Sequence, residues 1–587
     1  MNTSSALSKT RTIIFEPLES PVYQRTALTC DMQISGPAML LDDTSTTIVE
    51  PGWQALLLEQ GELLLERVTP LPRQHSIGTS ADPIMLEIFN NLFMSIAEQM
   101  GATLANTAYS VNIKERLDFS CALFDSDGQL VANAPHMPVH LGSMGESVQA
   151  VMREQGATMQ AGDVFVLNDP YRGGTHLPDV TVVTPVFEGQ ELLFYVASRG
   201  HHADIGGVSP GSMPSHSKTI DEEGSRLPPV KLVSHGELLE QPMRDLLLNS
   251  PWPVRNIEQN LADLRAQIAA NTTGVQAVQE MIAHFGLDVV QAYMQHVQDN
   301  AEESVRRTLD ALHDGEFEYP MDNGAVVRVA IRIDKAKRRA TIDFTGTSPQ
   351  QANNFNAPTA VCKAAVLYVF RTLVDDNIPL NAGCLKPIDI ILPDGCLLNP
   401  HPPSAVVAGN VETSQYVVDA LYGALGVIAA AQGTMNNLTF GNERYQYYET
   451  VCGGSGAGPD FDGTDAIHTH MTNSRLTDPE ILESRFPVLL EDFRIREGSG
   501  GQGKYRGGHG VVRKIRFLEA MHAEILSGHR TVPPFGVAGG DPGQTGNNYV
   551  LRTNGQRDEL GSADGTDMNA GDVFVIETPG GGGWGRR

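Results

Sequence analysis

Histidine and aspartate residues that could hold a metal ion are concentrated in residues 112–211, where five of the 17 histidines of the chain lie. Pro178 breaks regular structure between His176 and Asp179, so both side chains can turn towards one point. His201 ends a later strand-like segment, which could pair with the segment that follows Asp179. Divalent transition metals bind imidazole and carboxylate groups that converge from rigid strand ends, with one position open for water. The pattern therefore predicts a metal site.

Other interpretations of these residues stay open. A single His-x-x-Asp pair is typical of a surface turn, and His201-His202 also fits a hydrogen-bonded pair in a loop. Glu115, Asp118 and His140 place two more carboxylates and another imidazole in the same window. The spacing alone leaves a metal centre and a set of polar loops as alternatives.

Further polar segments could line a substrate site or serve structure only. Asn410 and Glu412 lie in a polar loop that leads into an apolar helix, as does the asparagine-rich segment 353–358. Asparagine caps helices in many proteins, so both segments also fit a structural role. His468 and His470 either line a site or lie in a turn.

The sequence does not favour a nucleotide-binding loop or a reactive cysteine. Residues 498–504 approach a phosphate-binding loop, but Tyr505 stands where the motif requires the serine or threonine that holds magnesium. The following Arg-Gly-Gly-His-Gly does not favour a helix, so we predict a glycine-rich turn without a phosphate. Cys121 lies in the apolar stretch 119–124, where packing is expected.

Composition excludes several classes of protein. The 587 residues suffice for about four domains. Lys+Arg is 42 and Asp+Glu is 70, and the net charge of −28 disfavours a nucleic-acid partner. Six scattered cysteines without a CxxC pair favour neither a disulfide framework nor a thiolate zinc site. The longest apolar run, 421–431, is too short to cross a membrane, and no signal segment opens the sequence, so we expect a cytoplasmic protein without a membrane partner.

The elements that must hold these residues follow from apolar spacing and predict a mixed α/β (α+β) fold. Asp82-Pro83 marks a helix start. An apolar stripe follows at every fourth residue, Ile84, Ile88, Leu92, Ile96, Met100 and Leu104. Strands are predicted at 13–15, 38–41, 55–58, 164–167, 180–183 and 192–197, with a hairpin at 326–345. Helices are predicted within 256–312, 359–374 and 414–431, and glycine-rich strands after 440.

Residues 82–584 resemble the hydantoinase B/oxoprolinase family. The resemblance rests on long motifs at 97–101, 112–120, 138–142, 195–207, 210–214 and 580–584. Within the family, the motifs at 200–214 and 287–294 are most similar to those of the ATP-dependent 5-oxoprolinases. Residues 1–67 resemble the C-terminal end of a hydantoinase A-type region, which precedes the B-type half in full-length oxoprolinases.

The resemblance implies a multi-domain hydantoinase B-like fold with a metal site at strand ends. Its parts would be a remnant of the A-type β region at 1–67, a linker at 68–82 and a hydantoinase B/oxoprolinase domain at 83–587. That last domain would contain a helical segment at about 256–312 and a glycine-rich β region at about 440–587.

The resemblance also implies which residues act. The metal ligands carried over by matching motifs are Glu115, His176, Asp179 and His201, with Asp118 as the main rival to Glu115. Asp118, His140 or His202 would act as a general base or hold the ligands in place. Weaker candidates for substrate binding are Asn410, Glu412, His468 and His470. The ligand set contains nitrogen and oxygen but no thiolate, which is compatible with Mn, Fe or Zn.

The implied activity is cyclic-amide hydrolysis that opens 5-oxo-L-proline to L-glutamate. An A-type partner would phosphorylate the lactam carbonyl with ATP and Mg, and this chain would act as the metal-dependent hydrolase half of a homo- or hetero-oligomer. Nearly all of the A-type region, including its ATP-binding part, does not occur in this sequence. The alternatives are a hydantoinase, an N-methylhydantoinase or other lactamase subunit, a ketone carboxylase subunit, or a non-catalytic remnant.

Overall fold

The first helix of the computed structural model, α1 (Pro83–Thr107), begins where the sequence predicts. The Asp82 carboxylate accepts the backbone N–H groups of Ile84 and Met85, each at 3.0 Å. The predicted stripe is only half right, because Ile84 is 72% exposed while Phe89 and Phe93 are buried. An α-helix turns about 100° per residue, so a strict four-residue spacing drifts about 40° per step and leaves the buried face.

The structure describes residues 7–13, 18–30, 32–69, 78–375 and 378–587. Contacts divide the chain into two compact units, residues 1–78 and 79–587. The strands of the first unit are β1 (Leu7–Ile13), β2 (Leu18–Gln24), β3 (Gln33–Ser35), β4 (Ala38–Leu41), β5 (Thr46–Val49), β6 (Trp53–Leu57) and β7 (Leu63–Arg67). They form a sheet in the order β1-β2-β4-β5 and another in the order β3-β6-β7. The predicted strands at 38–41 and 55–58 correspond to β4 and β6, whereas residues 14–15 lie outside the described residues.

The second unit contains a seven-stranded sheet in the order β14-β13-β10-β11-β12-β8-β9. Its strands are β8 (Phe119–Asp125), β9 (Leu130–Asn133), β10 (Val164–Leu167), β11 (Asp179–Glu188), β12 (Glu191–His201), β13 (Val230–Ser234) and β14 (Glu237–Leu238). The predicted strands at 164–167, 180–183 and 192–197 lie within β10, β11 and β12. The paired strands β11 and β12 are the longest of the sheet and carry His201 at the end of β12.

Some helices of the second unit pack against this sheet, and others pack against other elements. The helices after α1 are α2 (Val111–Lys114), α3 (Pro138–Gln155), α4 (Glu240–Leu248), α5 (Ile257–Phe285), α6 (Leu287–Ala311), α7 (Thr359–Thr372), α8 (Ser414–Leu425) and α9 (Pro479–Arg485). The helical prediction for 256–312 is confirmed as α5 and α6, which meet at Gly286. Helix α5 contacts β11 and β12, and α3 contacts β8, β11 and β12.

The chain around α8 corrects two predictions. Residues 409–413, predicted as a loop, form a π-helix that runs directly into α8. The helix predicted to reach residue 431 ends at Leu425, because Gly426 adopts a left-handed conformation with φ of 64° that glycine tolerates. Neither Asn410 nor Glu412 caps a helix, so the structural role considered for them in the sequence is not the observed one.

Three further sheets complete the second unit. The remaining strands are β15 (Gly315–Pro320), β16 (Val326–Asp334), β17 (Arg339–Asp343), β18 (Ile388–Ile391), β19 (Asn437–Gly441), β20 (Gln446–Thr450), β21 (Val488–Arg496), β22 (Gly510–Phe517), β23 (Met521–Leu526), β24 (Asn547–Leu551), β25 (Arg557–Leu560), β26 (Ala563–Met568) and β27 (Val573–Glu577). The sheet orders are β15-β16-β17-β18, β20-β19-β23-β26 and β21-β22-β27-β24-β25. The hairpin predicted over 326–345 is β16 and β17.

The glycine-rich segment 498–504 is a turn, as predicted. Tyr505 and Trp584 exchange backbone hydrogen bonds at 3.0 and 2.9 Å, and β22 rather than a helix follows. A Cβ atom on Gly507 would lie 2.0 Å from the carbonyl oxygen of Gly581, so only glycine allows the two backbone segments to approach this closely. No helix N-terminus is available there for a phosphate.

The Cys121 side chain is buried, as its apolar neighbours predicted. Cys30 is exposed, and the other five cysteines are buried and unpaired. Burial raises the pKa of the Cys121 thiol, which keeps it protonated. None of the helices built from the described residues combines the length and the apolar character that a bilayer crossing requires.

Candidate metal centre

The pairing of β11 with β12 brings the main candidates together. Asp179, the first residue of β11, lies directly opposite His201, the last residue of β12. His176 lies three residues before Asp179, in a loop that the Pro178 carbonyl ties to β12 by accepting the His202 N–H at 2.8 Å. Because Gly173 has a φ of 94° and a Cβ there would lie 2.5 Å from the Glu146 carbonyl oxygen, this loop requires glycine at its turn.

The Asp179 carboxylate is the centre of the cluster. Its Oδ1 lies 3.0 Å from His176 Nε2 and 3.1 Å from His201 Nδ1. The ligand atoms of His176, Asp179 and His201 lie within 4.8 Å of one another, and all three residues are buried. Within the described part of the chain, no other group of three His, Cys, Asp or Glu residues brings its ligand atoms this close.

The second oxygen of Asp179 has its own partners. His140 Nε2, from the first turn of α3, lies 3.1 Å from Oδ2. The Thr175 hydroxyl and the Asn410 amide donate to the same oxygen at 3.0 and 3.2 Å. Asp118 completes this side, with Oδ1 3.9 Å from His140 Nε2. Two carboxylates and three imidazoles therefore surround one buried point.

Electrostatics keeps these groups in metal-binding form. Burial alone would raise the pKa of the Asp179 carboxyl, but the neighbouring His140 and His176 hold it well below its usual range. Burial lowers the pKa of the His201 imidazole, which favours the neutral ring. An ionised carboxylate and a neutral imidazole are the forms that coordinate metals.

The unpaired atoms of the cluster fit a metal ion. His176 Nε2 and His201 Nε2 are buried and make no hydrogen bond to a described residue, and the contact of His176 Nε2 with Asp179 Oδ1 at 3.0 Å is one that a metal ion could bridge. His176 Nδ1 lies 3.4 Å from the Val407 carbonyl oxygen, a contact that favours the proton on Nδ1 and leaves Nε2 with a free lone pair. The cavity between these side chains measures about 10 Å³, the size of one water molecule or one ion.

Asp118 rather than Glu115 lies in this cavity. Glu115 follows the end of α2, is half-buried and is not part of the cavity wall. Leu117 has a φ of 52° and turns the chain, so that Asp118 enters β8 beside the end of β12. The Asp118 carbonyl accepts the His201 N–H at 3.0 Å, which fixes Asp118 next to the histidine.

His202 points away from the cavity, as alternation along a strand end requires. Its Nε2 lies 3.1 Å from Gln267 Oε1 and its Nδ1 lies 3.1 Å from Asn260 Nδ2. Both partners belong to α5, so His202 joins the sheet to the helix and does not line the site.

The four weaker candidates separate. Asn410 lines the cavity through its contact with Asp179. Glu412 is buried behind it, where its Oε1 accepts the Asn437 amide at 2.7 Å and the Met435 N–H at 3.0 Å. His470 pairs with Asp419 at 3.0 Å away from the cavity, and His468 lines a separate open cleft.

Two residues near the site were not predicted from the sequence. The Tyr448 ring stacks on the His201 ring, with centroids 4.6 Å apart. The buried Arg116 guanidinium donates to the Tyr448 carbonyl at 2.9 Å and to Thr450 Oγ1 at 3.1 Å. Arg116 lies between Glu115 and Asp118 in the sequence, and this run of charged residues is the signal that could have identified it. Tyr448 lies far away in sequence and belongs to no motif that could have identified it.

Comparison with known proteins agrees with this architecture. Residues 82–587 match the family described as hydantoinase B/oxoprolinase. The chain is 46% identical over 582 residues to a 5-oxoprolinase of Dictyostelium discoideum, an alignment that covers 97% of this chain and 45% of that protein. The chain therefore spans about half the length of this relative. It is also 30% identical to a protein of Pseudomonas sp. (strain NS671) that is named as the B-type component of a D-/L-hydantoinase, over 87% of this chain and 91% of that protein.

A solved structure shows the same fold. The crystal structure of ATP-dependent caprolactamase from Pseudomonas jessenii aligns with a TM-score of 0.77 and 26% sequence identity, and the alignment covers 86% of this chain and 92% of that one. The mixed α/β prediction is thereby confirmed. With the family match over residues 82–587, these findings establish that the chain belongs to the hydantoinase B/oxoprolinase family.

Proposed function

We propose that this chain is the metal-dependent half of an ATP-dependent 5-oxoprolinase, which opens 5-oxo-L-proline to L-glutamate. The observation that carries the proposal is the buried cluster of His176, Asp179 and His201, in which two imidazole Nε2 atoms make no hydrogen bond to a described residue. A buried site that leaves such atoms unpaired is costly unless a ligand completes it. The similarity to a 5-oxoprolinase over 97% of the chain supports the choice of substrate.

The proposed ligands are His176, Asp179 and His201, with Asp118 in the place that the motif match gives to Glu115. Asp118 is preferred because it lines the cavity, whereas Glu115 does not. Mn, Fe and Zn are all compatible with this set of nitrogen and oxygen donors. A divalent transition ion held there supplies Lewis acidity, which activates water near neutral pH.

The remaining residues orient the ligands and move the proton. Thr175 and Asn410 hold Asp179 by donating to its Oδ2, so the carboxylate presents a fixed orientation. His140 Nε2 lies 3.1 Å from Asp179 Oδ2 and 3.9 Å from Asp118 Oδ1, so it can donate to Asp179, and its buried Nδ1, which makes no hydrogen bond to a described residue, is the atom that would take a proton from water. Tyr448 limits the motion of the His201 ring by stacking on it.

Activation of the lactam must come from an ATP-binding A-type region. Amide resonance makes a five-membered lactam a poor electrophile. Phosphorylation of its carbonyl oxygen removes this resonance stabilisation and makes the ring carbon more electrophilic. Residues 498–505 form no phosphate-binding loop in this chain, so we expect no ATP binding of micromolar affinity here. The A-type region would act on the same polypeptide or on a separate chain. The 5-oxoprolinase relative, of which the alignment covers 45%, supports the first arrangement, and the relative named as one component of a hydantoinase, covered to 91%, supports the second. Residues 1–67 would then represent the end of that region.

Other substrates receive less support. The identity to a 5-oxoprolinase is 46%, compared with 30% to the hydantoinase component and 26% to the caprolactamase. A non-catalytic remnant would not need to keep the unpaired imidazoles aligned around Asp179. A ketone carboxylase would use the same cluster with another substrate.

The proposal is tested by mixing the metal-loaded chain with an A-type half and ATP and comparing the rates of product release from different substrates. Product release is measured from 5-oxo-L-proline, hydantoin and N-methylhydantoin under identical conditions. We expect ATP-dependent L-glutamate release from 5-oxo-L-proline to exceed the other rates by at least about tenfold. A preference for either hydantoin would overturn the assignment of the substrate.

A further inference from the structure

An open cleft lies against the wall of the metal cavity. The cleft measures about 530 Å³, within the range of small-molecule sites, whereas the metal cavity of about 10 Å³ has no room for an organic ring. If the chain acts on a lactam, as proposed above, the ring must bind outside that cavity and reach it through a wall. The cleft is the candidate for that place.

Two chain segments form the wall, and each has residues on both sides. Thr450 lines the metal cavity, and Cys452, two residues later, lines the cleft. Thr472 lines the metal cavity, and its neighbour Asn473 lines the cleft. The separation is therefore one layer of residues.

His468 is the weakly held part of this layer. Its Nε2 lies 3.5 Å from Thr450 Oγ1, at the limit of a hydrogen bond, and its Nδ1 is buried without a partner among the described residues. Thr450 Oγ1 itself is held firmly by Ser474 Oγ at 2.7 Å. Burial, with the nearby Arg116 guanidinium, lowers the pKa of His468 to about 3, so the ring is neutral. Displacing this imidazole therefore breaks, among the described residues, one hydrogen bond at the limit of its length.

The backbone near His468 is strained. Ala466 and His470 have φ values of 51° and 59°, a conformation that is uncommon for residues other than glycine. Such strain clusters at ligand-binding and moving segments. It supports a wall that can change shape between residues 466 and 470.

The cleft chemistry suits a small lactam that carries a carboxylate. Ile467, Phe493 and Ile495 are apolar yet 40%, 43% and 43% exposed, a surface that would cover ring methylene groups. Asn473 Nδ2 donates to the carbonyl groups of Pro135 and His136, at 3.4 and 3.2 Å, so its Oδ1 and neutral His468 are the groups that offer hydrogen bonds to an amide. Arg494 lies on the same lining, where its Nε pairs with Asp492 Oδ2 at 3.1 Å, and the carboxylate of the substrate would compete with Asp492 for this exposed guanidinium.

We propose that this cleft binds 5-oxo-L-proline and that the activated carbonyl group of the bound ring reaches the edge of the metal cavity past His468. The proposal rests on the proposed function and adds the location of the substrate. It requires the cleft to be open in the complete enzyme.

The test replaces exposed residues of the cleft lining with tryptophan, which narrows the cleft. It uses the complete enzyme with its A-type half. Ile495→Trp and Ile467→Trp narrow the cleft from two different segments, so one remains informative if the other does not fold. Leu489→Trp is the matched control, because Leu489 lies on the same strand as Ile495, is 40% exposed and does not line the cleft. Equilibrium binding of labelled 5-oxo-L-proline without ATP, KM in the full reaction and metal content are measured for each variant.

We expect each filling variant to weaken binding and raise KM by about tenfold or more at unchanged metal content, with the control equal to wild type. Wild-type binding and KM in both filling variants would overturn the cleft assignment while leaving the proposed function intact. Loss of the A-type half from the complex in these variants, with unchanged binding of 5-oxo-L-proline, would show that a protein occupies the cleft and would also overturn it. If the wild-type enzyme bound no metal, or showed no ATP-dependent turnover, that result would overturn the proposed function and this inference with it.

Discussion

Asp179 and His201 face each other across the β11–β12 ladder, with Asp179 Oδ1 3.1 Å from His201 Nδ1. Asp179 begins β11 and His201 ends the paired strand β12. The backbone ladder therefore fixes their separation before any metal binds. His176 then needs only a three-residue turn to reach the same carboxylate, at 3.0 Å. The cluster is therefore assembled mainly by the pairing of β11 with β12. A substitution of one cluster residue should leave this backbone ladder, and the other cluster residues on it, in place.

We predict that His176→Ala removes the metal and leaves the chain folded. The substitution deletes one imidazole donor of the cluster, while the ladder that carries Asp179 and His201 remains. Metal analysis of the purified variant, with circular dichroism as the folding control, measures the effect. Full metal occupancy in a folded variant would contradict the ligand assignment.

Glu115 and Asp118 are predicted to differ in their importance for the metal. Asp118→Asn should lower metal affinity by roughly 10- to 100-fold, since Asp118 lines the cavity 3.9 Å from His140. Glu115→Gln is the matched control and should bind metal like wild type, because Glu115 lies outside the cavity wall. Competitive titration with a metal-sensitive dye gives both affinities. The reverse order would restore Glu115 as the fourth ligand.

Glu412 is predicted to make stability depend on pH. Burial raises the pKa of its carboxyl to about 8 from an ordinary value of 4.5, so the folded chain keeps a proton that the unfolded chain releases. Unfolding then releases a proton between pH 4.5 and 8, and the contribution of this group to stability falls as pH rises through that window.

Glu412→Gln keeps the Oε1 acceptor for Asn437 and Met435 and removes the titration. We expect the melting temperature of this variant to exceed that of wild type by a few degrees at pH 8 and to match it near pH 4.5. Differential scanning fluorimetry across this range measures both. An equal pH dependence in the two proteins would show that Glu412 is not the group responsible.

The Arg513–Glu449 pair is predicted to anchor the strand that carries Tyr448 and Thr450. Arg513 Nε and Nη2 donate to the two Glu449 oxygens at 2.6 and 2.8 Å, and both side chains are buried. Arg513→Met leaves a buried carboxylate without its partner, which costs about 3–5 kcal/mol. Thermal unfolding should show a drop of several degrees.

The exposed Arg494–Asp492 pair provides the control for that experiment. It lies at 3.1 Å with Arg494 59% exposed, and exposed pairs contribute about 0–1 kcal/mol. Arg494→Ala should therefore leave the melting temperature nearly unchanged. A similar loss in the two variants would contradict a special role for the buried pair.

Local signals made much of the fold predictable. Asp82 before Pro83 satisfies two backbone donors within three residues, so the helix start depends on no distant contact. The apolar runs of β10, β11 and β12 were recognised because each is a short buried strand. The π-helix at 409–413 was not recognised, because its polar residues are buried by contacts such as Asn410 with Asp179, which lies far away in sequence.

The site was only partly predictable for the same reason. His176, Asp179 and His201 stand at strand ends, where the sequence spacing is informative. The choice between Glu115 and Asp118 depends on the turn at Leu117 and on the pairing of β8 with β12, which no local pattern encodes. The direction of the His202 side chain was not predictable either, because adjacent residues at a strand end point to opposite sides and its contacts with Gln267 and Asn260 on α5 lie far away in sequence.

The central claim is that the His176–Asp179–His201 cluster hydrolyses an ATP-activated lactam. The most direct measurement is L-glutamate release from 5-oxo-L-proline by the A-type half with ATP, combined with either the wild-type metal-loaded chain or the Asp179→Asn chain. We predict ATP-dependent release with the wild-type chain, none with either half alone, and a loss of at least about 1,000-fold with Asp179→Asn. Undiminished release with Asp179→Asn, or no release from the complete wild-type enzyme, would contradict the claim.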